Sequence, residues 1–331
     1  MERTLDLVIT DPSFAAARVV RDFTLDMQWG DDEGGNDFEL SGVPARVEGG
    51  ALVYVDGTEY GGVVDAESPS HTRAGDSISY SGRTWHGVLA QKVLLPPAGK
   101  SHYTAQGEAN AVLAAMVAAC PVGESFRVSG APSGLEVPAT QLPRFCTLYE
   151  AMRRAMRAAG ARLSIVATKA GVELSAVPSV DWGDLVEPGK TSFTATRHLN
   201  NYNHLIALGK GELTERQVLH LYADAEGNVS TTQSIFGIGE RAYVYELSSE
   251  EGEELAAKAR QKLQALQESD EAEADLDPSL GVAVGDRVTV LSPAYGIRSA
   301  AEVTGMVVKV ERGIATAEPK TGSPQVIEDK E

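Results

Sequence analysis

The chain has little cysteine, few aromatic residues and no long apolar run, and each shortage excludes a class of protein. Cys120 and Cys146 are the only cysteines among 331 residues, too few for a disulfide framework. No C-x-x-C or H-x-x-x-H pattern lies near them, so we expect two free, buried thiols rather than a metal site. Aromatic residues make up 6% of the chain, which is thin for a base-stacking platform or a ring-lined glycan cleft. No apolar run approaches the roughly 18 residues of a membrane span, and the N-terminus lacks an apolar signal segment, so we expect no membrane span and synthesis in a cytoplasm.

Positive charge is also scarce, because 29 Lys and Arg stand against 47 Asp and Glu, for a net charge of −18. Duplex DNA is held chiefly by Lys and Arg side chains that neutralise phosphates, so this balance argues against a protein that grips DNA. An acidic surface can serve solubility alone, or it can form an anionic wall past which nucleic acid slides without sticking. The sequence leaves both interpretations open.

Catalytic motifs are missing as well. The sequence has no G-x-S-x-G for a serine nucleophile and no G-x-x-x-x-G-K-[ST] for a phosphate loop. None of the six histidines has a histidine four residues on; they are His71, His86, His102, His198, His204 and His220. The last three could converge in one sheet, although ordinary core or surface histidines explain them better.

Carboxylates are too abundant for any one pair to be diagnostic. Asp181 and Asp184 beside Trp182 are the one pair worth naming for a glycosidase, and a linker anchored by the tryptophan explains them better. Asp224 and Glu226 lie in the sequence ADAEGN, which lacks the full calcium-loop register and is typical of a hairpin tip. The sequence therefore predicts no catalytic residue, no cofactor and no metal site.

Composition divides the chain into β-rich and mixed regions, which predicts an α+β, β-rich fold. Residues 1–98 consist of short apolar runs separated by turn signals, typical of a barrel or sandwich. Residues 99–189 indicate a small α+β domain that ends in a linker. Residues 190–320 return to β structure with an inserted helix at 248–268, and residues 321–331 form a frayed tail.

Two helices and one hairpin carry the clearest local signals. Apolar residues at helical spacing predict one helix over 109–120 and another over 147–159. Alternating residues on either side of 169–171 predict a hairpin. Ser248 followed by Glu251 has the spacing of a capping box and predicts the start of the third helix.

The stretch from Tyr80 to Pro97, YSGRTWHGVLAQKVLLPP, predicts a turn followed by a half-buried strand. Ser81-Gly82 supplies the turn, because glycine reaches positive φ without steric cost. Apolar residues between Val88 and Leu95 supply the strand. The double proline must end it, since proline donates no ladder hydrogen bond.

Three segments together resemble the siphovirus tail-hub proteins of the ReqiPepy type, which belong to the phage baseplate hub class. They are the stretch just described, NYNHLIALGKGELTERQVLHLYADAEGNVS, and the closing VGDRVTV with AEVTGMVVKVERGIATAEPKTG. The likeness runs from about residue 1 to residue 322, and its motifs are specific in combination rather than singly. The motif positions are Tyr80, Ser81, Gly82, Arg83, Gly87, Asn203, His204, Gly209, Gly211, Tyr222, Asp286 and Val288.

The resemblance implies a structural, non-enzymatic protein of the virion tail. It implies a trimeric ring in which two β-barrel-like tube domains per chain, here 1–98 and 190–320, flank the small peripheral α+β domain. The expected partners are two further copies of the chain, the distal tail protein or tail-tube ring, and tail-tip, fibre or spike proteins. DNA would pass through the lumen without specific binding, and no cofactor is implied.

Two other functions remain open from the sequence. One is a glycan-binding surface module of the tail tip, against which the low aromatic content counts. The other is a tail-associated cell-wall hydrolase that uses Asp181 and Asp184 or a histidine cluster. Loss of cell-wall cleavage after mutation of both carboxylates would identify the hydrolase.

Overall fold

The computed structural model describes residues 5–31, 35–73, 75–183, 191–196, 201–267, 271–276, 281–292, 297–322 and 325–327. By its internal contacts the chain divides into two compact units. Unit 1 comprises Met1–Phe193 and Glu273–Glu331, and unit 2 comprises Thr194–Ala272. In sequence, unit 2 is therefore an insertion between the two segments of unit 1.

The described elements alternate short strands with few helices. In chain order the strands are β1 (Leu7–Thr10), β2 (Arg18–Val20), β3 (Thr24–Gly30), β4 (Asp37–Ser41), β5 (Leu52–Val55), β6 (Gly61–Thr72), β7 (Gly75–Thr84), β8 (Thr104–Glu108), β9 (Phe126–Val128), β10 (Glu136–Gln141), β11 (Ala161–Thr168), β12 (Gly171–Pro178), β13 (Thr191–Thr196), β14 (His204–Leu208), β15 (Val218–Ala223), β16 (Val229–Ser230), β17 (Ala242–Glu246), β18 (Glu271–Leu276), β19 (Arg287–Ser292), β20 (Ile297–Glu311), β21 (Ile314–Thr321) and β22 (Gln325–Ile327). The helices are α1 (Trp85–Ala90), α2 (Ala109–Ala119), α3 (Leu148–Ala158) and α4 (Gly252–Gln267). This content agrees with the predicted α+β, β-rich class.

Strands from both ends of the chain build the eleven-stranded sheet of unit 1. Its order is β19-β20-β3-β4-β7-β6-β5-β1-β2, and β21 and β22 also pair with β20. Alternating side chains of these strands form one apolar core, which includes Leu7, Leu25, Trp29, Phe38, Leu40, Val53, Tyr80, Val303 and Val308. The closing strands thus share a core with the first strands.

The antiparallel pairing of β3 with β20 joins the two ends of the chain. Its register runs from Thr24 opposite Glu311 to Gly30 opposite Gly305. The last pair consists of two glycines because the backbones approach closely there. A Cβ atom on Gly30 would lie 2.4 Å from the Thr304 carbonyl oxygen and 2.6 Å from the Gly305 Cα.

The predicted turn at Ser81-Gly82 is wrong, because both residues lie inside β7. Gly82 is required there by close packing against the neighbouring strand rather than by a turn. A Cβ atom on Gly82 would lie 1.9 Å from the Val63 carbonyl oxygen in β6. Such an approach between strands leaves no trace in the local sequence.

The predicted strand after that turn is also wrong, because the chain forms helix α1 instead. Thr84 caps this helix by accepting a hydrogen bond from the Gly87 amide at 3.2 Å. Gly87 packs so closely that an added Cβ would lie 2.2 Å from the Asn36 carbonyl oxygen. Trp85 and Leu89, four residues apart on one face of the helix, are fully buried.

Residues 99–178 form the predicted mixed region within unit 1. Helices α2 and α3 and the β11–β12 hairpin occupy the predicted positions, and β9 pairs parallel to β12. The antiparallel pair of β8 and β10 was not predicted. Its short strands contain Gly107 and Pro138, which lower the local strand signal.

A buried arginine ties helix α3 to the large sheet. Arg153 is 3% exposed, and its guanidinium donates to both Asp31 carboxylate oxygens at 3.0 and 3.1 Å and to Glu302 at 3.2 Å. Arg157, one helical turn on, donates to Asp31 at 3.1 Å and to Glu302 at 2.8 Å. Because Asp31 follows β3 and Glu302 lies in β20, this network fastens the helix to the strands that unite the two chain ends.

Unit 2 is a small sheet of order β16-β15-β14-β17 covered on one face by α4. Their shared core comprises Leu205, Ala207, Leu221, Ala223, Leu255, Ala259 and Leu263. The predicted capping box is wrong, because α4 begins at Gly252, after Glu251. The Glu251 carboxylate instead accepts a hydrogen bond from Lys210 at 3.3 Å.

The predicted pair of barrel-like domains is not confirmed. In the described part of the chain no sheet closes on itself, and the first strands share unit 1 with the closing strands. The reason is the β3–β20 pairing, which places the closing strands in the same sheet as the first ones. Residues 184–190, 197–200 and 328–331, within the predicted linker, second β domain and tail, lie outside the described residues.

Replacing Gly82 with alanine should destabilise the protein by about 2 kcal/mol, because the new methyl group overlaps a carbonyl oxygen that strand pairing holds in place. Chemical denaturation measures the loss. Gly130→Ala is the matched control, since nothing lies within 4 Å of its Cβ position. Equal stability of the two variants would contradict the packing described here.

Stability at low pH should depend on Glu108, which caps α2. Its carboxylate accepts hydrogen bonds from the Ser133 hydroxyl, the Ala111 amide at 2.8 Å and the Ser133 amide at 2.6 Å, and these lower its pKa to about 2. Because this pKa lies below that of the unfolded chain, the contribution is complete above about pH 5 and is lost as the pH falls towards 2.

The Glu108→Gln variant should therefore lose part of the acid dependence of unfolding between about pH 5 and pH 2. Denaturant titrations of both proteins at several pH values test this. Unfolding free energies that fall in parallel for the two proteins would contradict the assignment.

Candidate assembly surfaces

The outer part of the β6–β7 hairpin extends as a two-stranded arm, which we define as Ser68–Ser79. Ser68 pairs with Ser79, Pro69 with Ile78, and the pairing continues to Thr72 opposite Gly75. Residues 68–73 and 75–77 are all exposed, on both faces of the ribbon. In the described residues the arm thus has no core of its own.

Two motif residues, Tyr80 and Arg83, hold the base of this arm in place. The buried Tyr80 hydroxyl accepts a hydrogen bond from the Val47 amide at 3.0 Å. Arg83 donates to both Asp65 carboxylate oxygens at 2.7 Å, and this contact holds the pKa of Asp65 below its ordinary value. Ser81 pairs with Glu39 on one side of β7. These motif residues fix the position of the arm rather than line a cavity.

Asp286 is fully buried and organises a turn in unit 1. Its carboxylate accepts hydrogen bonds from the Val180 amide, the Ala283 amide and the Trp182 indole, each at 3.0 Å. Arg162 Nε lies 3.1 Å from the same carboxylate. Asp286 therefore holds the segment after β12 against the start of β19, and nearby Val288 belongs to the main core.

Asp181, one of the two carboxylates considered for a hydrolase, accepts hydrogen bonds close to Asp286. Asp181 accepts a hydrogen bond from the Thr289 hydroxyl at 2.9 Å and from the Gly183 amide at 3.1 Å. Asp184 lies outside the described residues, so their pairing has no described geometry. Asp181 acts here as a structural acceptor for two neighbouring groups.

In unit 2 Asn203 clamps the loop before β17 to the start of β14. Its side-chain amide donates to the Gly239 carbonyl at 2.7 Å, and its side-chain oxygen accepts from the Arg241 amide at 3.0 Å. Its own amide donates to the Arg241 carbonyl at 3.0 Å. The clamp holds in place the loop that carries the exposed Phe236 and Ile238.

His204 and His220 converge, as the sequence allowed, and form a hydrogen-bonded chain with Glu240. His204 Nδ1 lies 2.7 Å from Glu240 Oε1, and His204 Nε2 lies 2.8 Å from His220 Nδ1. The Tyr222 ring stacks on His204 with centroids 4.4 Å apart. His198, the third candidate, lies outside the described residues. Both nitrogens of His204 are thus engaged.

Two motif glycines shape the loop after β14. A Cβ atom on Gly209 would lie 2.7 Å from Leu255 Cδ2 and 2.9 Å from the Glu250 carbonyl oxygen. Gly211 has a φ of +106°, which other residues rarely adopt. Their roles are close helix packing and a backbone turn.

The sheet of unit 2 has an open face opposite α4. Strand alternation places on it His204, Ile206, Leu208, Val218, His220, Tyr222, Ala242, Val244 and Glu246, because their neighbours contact the α4 core. Val218 and Val244 are 48% and 55% exposed. We call these nine residues the open face.

Other expected sites are explained by local structure. Asp224 accepts hydrogen bonds from the Asn228 side chain at 3.0 Å and from the Asn228 and Glu226 amides at 2.8 and 3.0 Å, as at a hairpin tip, and these lower its pKa. No group of three metal-ligating side chains occurs among the residues that the structure describes. Cys120 and Cys146 are both free thiols. None of the described helices has the length and apolar character to span a membrane.

No protein-family model matches the chain, and no curated protein matches it significantly. Prophage tail protein gp18 from Listeria monocytogenes EGD-e is 14% identical, with 98% of this chain and 95% of that one covered and a TM-score of 0.45. The 43 kDa tail protein of prophage MuSo2 from Shewanella oneidensis is 15% identical, with 97% and 98% covered and a TM-score of 0.49. A tail protein from Neisseria meningitidis MC58 is 12% identical, with 96% of each chain covered and a TM-score of 0.45. All three of these solved structures are tail proteins, and two of them come from prophages.

The Asn203→Ala variant should destabilise unit 2 by about 2 kcal/mol, because it removes the two side-chain hydrogen bonds to the Gly239 carbonyl and the Arg241 amide. Hydrogen exchange should accelerate at the Arg241 amide and leave unit 1 unchanged. Gln264→Ala, on the exposed side of α4, is the control. Unchanged exchange at Arg241 would contradict the clamp.

Proposed function

We propose that this chain is a structural hub protein of a phage tail, which assembles as a trimeric ring around a central channel. The proposal rests on the combined sequence motifs and on what their residues do in the fold. Each described motif residue either packs against backbone, pairs within a strand or binds a neighbouring side chain. Such residues build surfaces, as expected of a protein that works by shape rather than by catalysis.

The arm is the observation that supports assembly most directly. A two-stranded ribbon without a third strand or an apolar face is marginally stable in water by itself. The arm nevertheless forms five register pairs, from Ser68 opposite Ser79 at its base to Thr72 opposite Gly75 near its tip, and both faces of its outer part are exposed. A surface on a neighbouring subunit would cover these faces and stabilise the arm.

The remaining features of the proposal follow from the hub role. The ring would join the tail tube or distal tail protein to tail-tip, fibre or spike proteins in the virion tail, after synthesis in the host cytoplasm. DNA would pass through the channel without specific binding, and the net charge of −18 leaves acidic side chains to line it. A channel lined with Lys and Arg in the assembled ring would contradict this part of the proposal.

Light scattering on the purified protein should give the mass of three copies, and shortening the arm should lower it. Replacing residues 70–77 with Asn-Gly retains the Pro69–Ile78 pair, keeps Ile78 against the main core and supplies a two-residue hairpin turn. Because the excised residues lack a core of their own, the shortened chain should keep its fold, as judged by circular dichroism.

A wild-type protein that stays a single copy at high micromolar concentration would contradict the ring. A shortened protein that remains trimeric would contradict the role of the arm and leave the ring intact. Cleavage of purified cell wall that is lost in Asp181→Asn would favour the hydrolase instead.

A further inference from the structure

We propose that an exposed surface of unit 1, both apolar and basic, is a docking site for an acidic segment of a partner protein. This surface, the basic patch, consists of Lys92, Val93, Leu95, Arg144 and Phe145, all of which are exposed. Docking there requires neither the ring nor the arm, so it goes beyond the proposed function and does not rest on it.

Backbone pairing between two loop segments presents the aliphatic part of the basic patch. The Leu94 amide donates to the Cys146 carbonyl at 3.0 Å, and both side chains are buried. Val93 forms an antiparallel bridge with Thr147 beside them. Val93 and Leu95, which flank Leu94, are 47% and 59% exposed. Because side chains alternate along an extended chain, the pairing that buries Leu94 directs its two neighbours outward.

Phe145 is presented on a backbone conformation that a large side chain rarely adopts. Its φ is +60°, and 55% of its surface is exposed, so burial of the ring does not offset the strain. The Arg144 guanidinium carbon lies 4.8 Å from the centre of the Phe145 ring. An aromatic ring and a cation are thus displayed together, and these two side-chain types are enriched at the centres of protein interfaces.

Charge selects the partner, because the basic patch lies in a region of the sequence without carboxylates. Asp and Glu account for 47 of the 331 residues, about one in seven, yet none occurs in residues 77–107 or 137–149. These two segments contain the whole patch, and Lys100 adds an exposed cation to the first. On a chain of net charge −18, such a surface attracts acidic partners that the rest of the molecule repels.

The positive charge continues beside the patch. Glu150 is the carboxylate nearest in sequence to Phe145, and it accepts a hydrogen bond from Arg154 at 2.9 Å. Thr147, which bridges to Val93, also lines a cavity of about 460 Å³. The charged residues that line this cavity are three arginines and two carboxylates, namely Arg153, Arg154, Arg157, Asp31 and Glu150.

The occupant that fits is a segment with carboxylates on both sides of an apolar side chain. The carboxylates would bind Lys92 and Arg144, while the apolar side chain would contact the Phe145 ring. Residues 268–278 of this chain, ESDEAEADLDP, have this composition, with six carboxylates, one leucine and no Lys or Arg. A synthetic peptide of that sequence therefore serves as the probe.

Fluorescence anisotropy with the labelled peptide tests the proposed chemistry. The peptide should bind the wild-type protein, and raising the salt from about 0.05 M to about 0.5 M should weaken binding roughly fivefold or more, because salt screens exposed charges. The same peptide with an amide in place of each carboxylate should bind roughly tenfold more weakly.

Two variants locate the site. Arg144→Glu should weaken peptide binding roughly tenfold, since a like charge replaces an opposite one. Arg260→Glu is the matched control, because it makes the same change on the exposed side of α4 in unit 2, and it should bind like the wild type. Phe145→Asn should weaken binding without loss of stability to denaturant, because asparagine tolerates a positive φ. A purely structural Phe145 would show the reverse.

Footprinting of the unmodified protein keeps the test independent of variant folding. Bound peptide should lower hydroxyl-radical oxidation of Phe145 and Leu95. A wild-type protein that does not bind the acidic peptide, equal binding of the amide peptide, or unchanged oxidation of these two residues would overturn the docking site. Binding at the patch by a protein that stays a single copy would support the docking site and contradict the ring alone.

Discussion

The pairing of β3 with β20 is the contact on which the rest of the structure depends. It joins strands from opposite ends of the chain, with Gly30 and Gly305 permitting the close approach at one end of the register. The buried Arg153 binds Asp31 and Glu302 where these strands meet α3. Because contacts so distant in sequence require closure of a very long loop, we expect this pairing to form late in folding.

The motif residues of this chain pack against backbone atoms or form hydrogen bonds with backbone groups. Gly82 and Gly87 permit close contacts between elements, Tyr80 and Asp286 satisfy buried amides, and Asn203 clamps a loop. None of these functions requires a bound molecule. Their common result is a set of rigidly placed surfaces, which is the property that an assembling protein needs.

Local patterns predicted part of the local structure, although they missed α1 and misplaced the start of α4. Helices α2 and α3 and the β11–β12 hairpin follow from apolar periodicity and turn residues, because those signals arise from neighbours in sequence. The prediction failed where distant packing decides the outcome, at Gly82 inside a strand and at the closing strands that join the first sheet. The convergence of His204 with His220 was foreseen as a possibility, while the Glu240 and Asn203 contacts depend on a loop that no spacing rule places.

We propose that this chain functions by assembly, with three copies enclosing a channel. Cryo-electron microscopy of the purified protein at high concentration tests this most directly. We expect class averages of a closed ring with three-fold symmetry and an open centre. Averages that contain single copies alone, or a closed assembly with no central opening, would contradict it.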